Sequence, residues 1–92
     1  MTRESTIEKA DRKRHKELGN LMLKFVSPGR VGVPDNIVLK PIPPEHQALV
    51  AQYIRFAEYK KPKGVPRSAQ LRRHQELRDL GFAVDVIDQP TN

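Results

Sequence analysis

The chain has no cysteine. That absence excludes disulfide bridges, thiolate zinc sites and cysteine nucleophiles, and it fits a reducing, cytoplasmic compartment. Long apolar runs are missing too. None approaches the roughly 20 residues that a bilayer-spanning helix requires. The opening stretch, MTRESTIEKADRKRH, has no apolar core of the kind a secretory signal carries. A cytoplasmic location without a membrane is therefore expected. Internal repeats, low-complexity tracts and long linkers are also absent, so residues 1–92 are expected to form one domain. A chain of 92 residues buries a modest core and often gains from forming an oligomer.

Negative charge is scarce. Asp and Glu number 11 against 17 Lys and Arg, a formal net charge of +6. Such an excess favours polyanions through phosphate contacts and counterion release. Many small basic proteins bind nothing specific, so charge alone divides evenly between the two outcomes. The few carboxylates are more informative, because they stand at unusual places in a basic chain. With 37% hydrophobic and 30% charged residues, the composition suits a folded domain rather than a disordered tail.

Residues 5–18 read as a helix, with Ser5 placed to cap it and Gly19 to end it in the left-handed conformation. Ile7, Ala10, Arg14 and Leu18 make a weak apolar stripe, while Lys9, Arg12, Lys13 and Lys16 load the other faces with positive charge. Glu4, Glu8 and Asp11 share one side. Like charges so stacked oppose a helix by roughly 0.2–0.5 kcal/mol per pair unless a cation neutralises them. Two readings stand: a capping box, Ser5-x-x-Glu8, or a carboxylate face answered by a metal ion or a lysine.

Residues 21–26, Leu-Met-Leu-Lys-Phe-Val, form a short strand candidate, and Ser27-Pro28-Gly29-Arg30 a turn. After Gly32 comes Val33-Pro34-Asp35-Asn36-Ile37-Val38-Leu39, whose last three residues are continuously apolar, as in a strand covered on both faces. Pro34 lacks a backbone donor and belongs at the strand's start, so Asp35 stands where the strand enters the sheet. An Asp there is ordinarily a turn residue, and a metal role needs partners. Pro41-Ile42-Pro43-Pro44 breaks the strand. Residues 45–52 can form a short helix after Pro44, and the stretch 41–52 reads as an excursion, a dimer contact or an extension of the next strand.

Residues 53–60 alternate. Ile54, Phe56, Glu58 and Lys60 point one way; Tyr53, Arg55, Ala57 and Tyr59 point the other. Glu58 and Lys60 are thus neighbours on a face with two large apolar residues, where a carboxylate wants a charge partner. A plain Glu–Lys pair at a sheet edge explains this equally. Lys61-Pro62-Lys63-Gly64-Val65-Pro66 is a basic loop that can lie on a phosphate backbone. Residues 68–80 form a second helix ended by Gly81, with Gln70, Arg73, His74, Leu77 and Leu80 on one side. Gln70 on that inward stripe either meets a buried partner or faces a site; His74 reads as structural. Residues 82–87 close the chain as a strand.

The order is helix, strand, strand, excursion, strand, helix, strand. It predicts an α/β fold with a mixed sheet of about four strands flanked by helices. Order and motifs together resemble the restriction-endonuclease-like core of the PD-(D/E)XK nucleases. More narrowly, the chain resembles a stand-alone virus-type replication-repair nuclease (VRR-NUC) domain. The matching stretches are Ile7-Glu8, Leu18-Gly19, Leu23-Lys24-Phe25, Ser27-Pro28-Gly29-Arg30, Gly32-Val33-Pro34-Asp35, Glu58-Tyr59-Lys60-Lys61-Pro62, Gln70 and Leu80-Gly81-Phe82. Asp11 and His15 depart from the family, where apolar residues are expected, and the 41–52 stretch is longer than the usual turn.

The resemblance implies a metal-dependent endonuclease for branched DNA, of Holliday-junction or flap type, in a bacterial cell or a phage-infected host. It makes Asp35, Glu58, the Tyr59 carbonyl and Glu8 (directly or through water) the ligands of Mg²⁺ or Mn²⁺, hard ions that prefer oxygen. Glu4 is the alternative to Glu8. Lys60 and Gln70 complete the catalytic set. Lys24, Arg30, Lys61, Lys63, Arg67 and Arg72 are expected on phosphates, and a homodimer is expected to place two sites about a two-fold axis. Two rival readings are a non-catalytic basic DNA-binding module and a small partner-binding protein that uses residues 41–52.

Overall fold

The computed structural model describes residues 3–26 and 29–90. Ser27 and Pro28 of the expected turn lie outside the described residues. Among the described residues, three helices and four strands make a mixed α/β fold. The chain divides into two compact units, one up to Pro41 and one from Ile42. Among the described residues, no helix is long and apolar enough to cross a membrane.

The first unit contains helix α1 (Glu4–Glu17) and strands β1 (Leu21–Lys24) and β2 (Asn36–Leu39). The strands are antiparallel, with Leu21 opposite Leu39 and Lys24 opposite Asn36. One further bond, from the Phe25 N–H to the Asp35 carbonyl at 2.8 Å, extends the ladder past β2's first residue. Helix α1 ends as expected: Gly19 has φ +80°. The Asn20 N–H reaches the His15 carbonyl at 2.8 Å and the Gly19 N–H reaches that of Lys16 at 3.1 Å. These are the two bonds of a Schellman motif, which needs a left-handed residue just past the helix.

The start and the buried side of α1 differ from the expectation. The helix begins at Glu4 with Arg3 at the N-cap and no side-chain cap. Ser5 is therefore inside the helix, and the Ser5–Glu8 capping box does not form, because the Glu8 carboxylate is taken by two cationic side chains, Lys24 and Arg12. Two ionised donors attract the carboxylate where a cap would offer it a single neutral N–H. Ile7 and Leu18, the expected stripe, are 53% and 61% exposed. Glu8, Arg12 and His15 are turned inward instead. The Arg12 guanidinium donates to the Met22 carbonyl and, at 2.9 Å, to Asn36 Oδ1, so polar bonds dock this helix on β1 and β2. In β2, Val38 is exposed and Leu39 is buried, so the 37–39 run is not covered on both faces.

The second unit contains α2 (Pro44–Ala51), β3 (Arg55–Tyr59), α3 (Ser68–Asp79) and β4 (Ala83–Ile87). Pro44 sits in the first turn of α2, where its missing N–H has no intrahelical partner to lose. The stretch of uncertain placement thus contains a helix. Strand β3 starts later than expected because the Tyr53 and Ile54 N–H groups both bond the Val50 carbonyl, at 3.0 and 2.9 Å, finishing the last turn of α2. Strands β3 and β4 pair in parallel, Arg55 opposite Ala83 through Tyr59 opposite Ile87, with α3 as the crossover. The four strands therefore pair two by two, one ladder antiparallel and one parallel, each ladder within its own unit.

Helix α3 ends in a second Schellman motif. The Phe82 N–H bonds the Leu77 carbonyl at 3.0 Å and the Gly81 N–H that of Arg78 at 2.9 Å. Leu77 and Phe82, the pair that motif brings together, are both buried. The Phe82 ring meets Phe56 of β3 edge-on, centroids 5.7 Å apart at 84°. Gly81 has φ +100°, and a Cβ there would lie 2.7 Å from Gln47 Nε2 of α2. That amide donates to the Ile42 carbonyl at 3.0 Å.

The two helix-ending glycines separate two effects. Gly19→Ala meets open space and is expected to cost only the left-handed penalty, about 1–2 kcal/mol. Gly81→Ala is expected to cost about 1 kcal/mol more, since Gln47 must move and its bond to Ile42 is lost. Chemical denaturation of both variants checks this, and equal losses contradict the role given to Gln47.

Candidate active site

In the first unit, Glu4, Ile7, Glu8, Asp11, Met22, Asp35 and Asn36 line an open cleft of about 270 Å³. The helical spacing of Glu4, Glu8 and Asp11 sets three carboxylates along one side of α1, and the start of β2 supplies Asp35. Glu8 and Asp35, from separate parts of the sequence, therefore share one cleft, and Glu4 joins them. Glu8 Oε1 lies 3.1 Å from Lys24 Nζ and 3.3 Å from the Arg12 guanidinium. Hydrogen bonding from Lys24 holds the Glu8 carboxyl below its ordinary value, with Asn36 and Arg12 adding to it against a smaller opposing effect of desolvation. Among the described residues, Glu4, Asp11 and Asp35 have no salt-bridge partner.

In the second unit, the alternation along β3 turns Phe56 and Glu58 inward and Arg55, Ala57 and Tyr59 outward. Glu58 Oε2 is 3.9 Å from Lys60 Nζ, and Glu58 Oε1 is 3.4 Å from His74 Nε2 on α3. The Lys60 side chain is only one-fifth exposed, and its N–H continues the ladder to the Ile87 carbonyl at 2.9 Å. This fixes the backbone beside the Tyr59 carbonyl. Gln70 faces inward, but its Oε1 accepts the Arg67 N–H at 2.9 Å. It therefore closes the first turn of α3, and among the described residues its amide nitrogen makes no hydrogen bond. On the outer face of β3, Arg55 grips Asp85 of β4 with two bonds, at 2.7 and 2.8 Å. The Arg55 guanidinium holds the Asp85 carboxyl below its ordinary value.

The residues assigned to phosphate contacts are exposed: Lys24, Arg30, Lys61, Lys63, Arg67 and Arg72. Lys24 is also committed to Glu8. Lys61 and Lys63 belong to a tight turn closed by the Gly64 N–H on the Lys61 carbonyl at 2.8 Å. Pro62 occupies its second position and Lys63, at φ +64°, its third. This is a type II turn with lysine where glycine or asparagine is usual, at a cost of about 1 kcal/mol. Backbone held in that region is a recurrent feature of functional loops.

Sequence reasoning missed Arg12 and Asn36 as the groups that seat Glu8, and it favoured a structural reading of His74 without placing its ring against Glu58. Arg12 was legible as the i+4 neighbour of Glu8; the other two depend on tertiary contacts.

Compared with known proteins, the chain is 41% identical over 88 residues to a protein named "Putative nuclease p44" from Acyrthosiphon pisum secondary endosymbiont phage 1, covering 96% of this chain and 85% of that one. The chain belongs to this phage nuclease family. No protein-family model and no solved structure matches it. The alignment runs across both units, so the carboxylate cleft and the Glu58–Lys60 strand both fall within the length shared with the phage nuclease.

The polar lining of the first-unit cleft is carboxylate and amide, and oxygen donors of that kind fit a hard divalent cation such as Mg²⁺ or Mn²⁺. Among the described residues, no three His, Asp or Glu side chains are gathered tightly enough to form a ready metal cluster.

A carboxyl whose folded value lies below its unfolded one adds stability above the unfolded value, and that stability is lost as pH falls through the folded one. Glu8 is of this kind, with an ordinary value of 4.5. In Lys24→Met its carboxyl is expected to titrate at higher pH than in wild type, and Glu8's share of stability on the alkaline side of 4.5 to shrink. Carboxyl-detected NMR titration checks this; an unmoved midpoint removes Lys24 as the cause.

Proposed function

We propose that this phage-type nuclease is a metal-dependent DNA endonuclease of the VRR-NUC type within the PD-(D/E)XK superfamily. Its substrate is branched DNA, such as a four-way junction or flap, and it works in the cytoplasm of a bacterial cell or phage-infected host. The observation that carries this reading is the pairing of Glu58 with Lys60 on the inner face of β3. A Glu-x-Lys on a strand supplies one oxygen ligand and one ammonium two residues apart, on the same side. The Glu8–Asp35 cleft supports it from the other unit.

Asp35, Glu58, the Tyr59 carbonyl and Glu8 are the oxygen ligands this reading assigns. A bound Mg²⁺ or Mn²⁺ would supply activation of water and charge compensation at the scissile phosphate. Lys60 orients the attacking water or neutralises charge building on the phosphate oxygens, and its partial burial strengthens that effect. Gln70, with its amide nitrogen uncommitted, holds the water or the Lys60 region. Lys24 and Arg12 keep Glu8 ionised and oriented. Hydrolysis is then a single in-line displacement with no covalent enzyme intermediate. A homodimer sets two such centres about a two-fold axis, so that the shape of the branch, rather than base sequence, selects the cut.

Purified protein with Mg²⁺ or Mn²⁺ is expected to nick labelled junctions or flaps, and EDTA to stop it. Asp35→Asn, Glu58→Gln and Lys60→Ala are each expected to lower cleavage by roughly 100-fold or more while DNA binding persists. Wild-type protein that binds junctions, flaps and duplex but leaves all of them intact in either metal sinks the catalytic reading in favour of a non-catalytic binding module.

The basic turn gives a separate expectation. Lys63→Gly removes a charge and relieves a left-handed lysine, so stability is expected to hold or rise. DNA affinity is expected to fall on all sequences, and the slope of log affinity against log salt to flatten by roughly 1. An unchanged slope takes this turn off the DNA surface.

A further inference from the structure

Among the described residues, His74 is the buried polar side chain, 5% exposed, and it lies on α3 one turn before buried Leu77. Its Nε2 is 3.4 Å from Glu58 Oε1. Its Nδ1 is sealed from solvent and has no partner. A carboxylate can only accept, so Nε2 carries the proton in this contact, and in the neutral ring Nδ1 is a buried lone pair that nothing satisfies. Such orphans are rare in folded proteins and each asks for a reason. Packing does not supply one. The position continues the inward stripe that Leu77 and Leu80 occupy, where a leucine would fill the space without the orphan. What the imidazole adds is a donor aimed at one oxygen of Glu58, while the other oxygen of that carboxylate is the one nearer Lys60.

We propose that His74 is a positioning residue: it fixes the Glu58 carboxylate from the buried side so that Oε2 is presented, beside Lys60, to the bound ion. This rests on the assignment of Glu58 as a metal ligand. Outer partners of this kind set the orientation of a ligand and tune metal affinity, commonly by 10–100-fold. It accounts for a polar ring kept where an apolar side chain would serve the fold better, a trade seen where local rules yield to function.

The test uses the full chain in four forms: wild type, His74→Leu, His74→Gln and His74→Asn. The Gln amide nitrogen can occupy the place of Nε2, whereas that of Asn falls near Nδ1 and does not reach Glu58. Three quantities are read: melting temperature, Mn²⁺ affinity by calorimetry without DNA, and the metal concentration giving half-maximal cleavage of a junction. His74→Leu is expected to melt at or above wild type yet bind Mn²⁺ about tenfold more weakly or worse. His74→Gln is expected to return to within about threefold of wild type, and His74→Asn to stay with His74→Leu. Should His74→Leu fail to fold, the contrast between Gln and Asn decides. Wild-type Mn²⁺ affinity in His74→Leu, or indistinguishable Gln and Asn variants, overturns the positioning role and leaves the nuclease reading standing. Wild-type protein that neither binds Mn²⁺ nor cuts overturns that reading, and this inference with it.

Discussion

Strands β3 and β4 run parallel, so the chain must travel from the end of one to the start of the other before they can pair. Helix α3 makes that journey, and the second unit takes its form from it. The crossover lays one side of α3 on the sheet, and that side carries His74 and Leu77. The same covered face of β3 carries Phe56 and Glu58. A carboxylate and an imidazole meet there because the topology leaves them nowhere else to point. The Schellman turn at Gly81 then reverses the chain and delivers Phe82 onto Phe56.

The apolar core is small: among the described residues Leu39, Leu77 and Phe82 are the buried hydrophobic side chains. With so little apolar area removed from water, directional polar contacts set the geometry. Helix α1 illustrates this. Its apolar residues are exposed, and Arg12, reaching the Met22 carbonyl, Asn36 and Glu8, fixes it on the first sheet. One guanidinium thus docks a helix and orients a carboxylate that belongs to the candidate site. Fold and site share the same bonds, as expected where each side chain must serve more than one purpose.

Much of this was legible in the sequence. Gly19 and Gly81 marked the ends of α1 and α3 correctly, because few residues adopt a left-handed backbone without strain. Period-two alternation placed Phe56 and Glu58 on one face of β3, and Pro44 announced α2. The grouping of Glu4, Glu8 and Asp11 followed from helical spacing alone. Other expectations did not survive contact with tertiary structure. Ser5 looked like a cap only while Glu8 had no better partner. Ile7 and Leu18 looked like the buried stripe only while the apolar count decided which side of α1 faces inward. Tyr53 and Ile54 looked like strand until the last turn of α2 used their N–H groups.

The sequence by itself determined the α/β class, the C-terminal ends of α1 and α3, the inner face of β3 and the carboxylates worth following, because backbone sterics and side-chain periodicity act over a few neighbouring residues. Tertiary structure decided which distant partners those side chains take: Lys24 for Glu8, His74 for Glu58, and the parallel sense of β3 and β4. Those choices turn on distances between residues 16 to 28 positions or more apart, and no local pattern fixes a distance that the path of the chain must set.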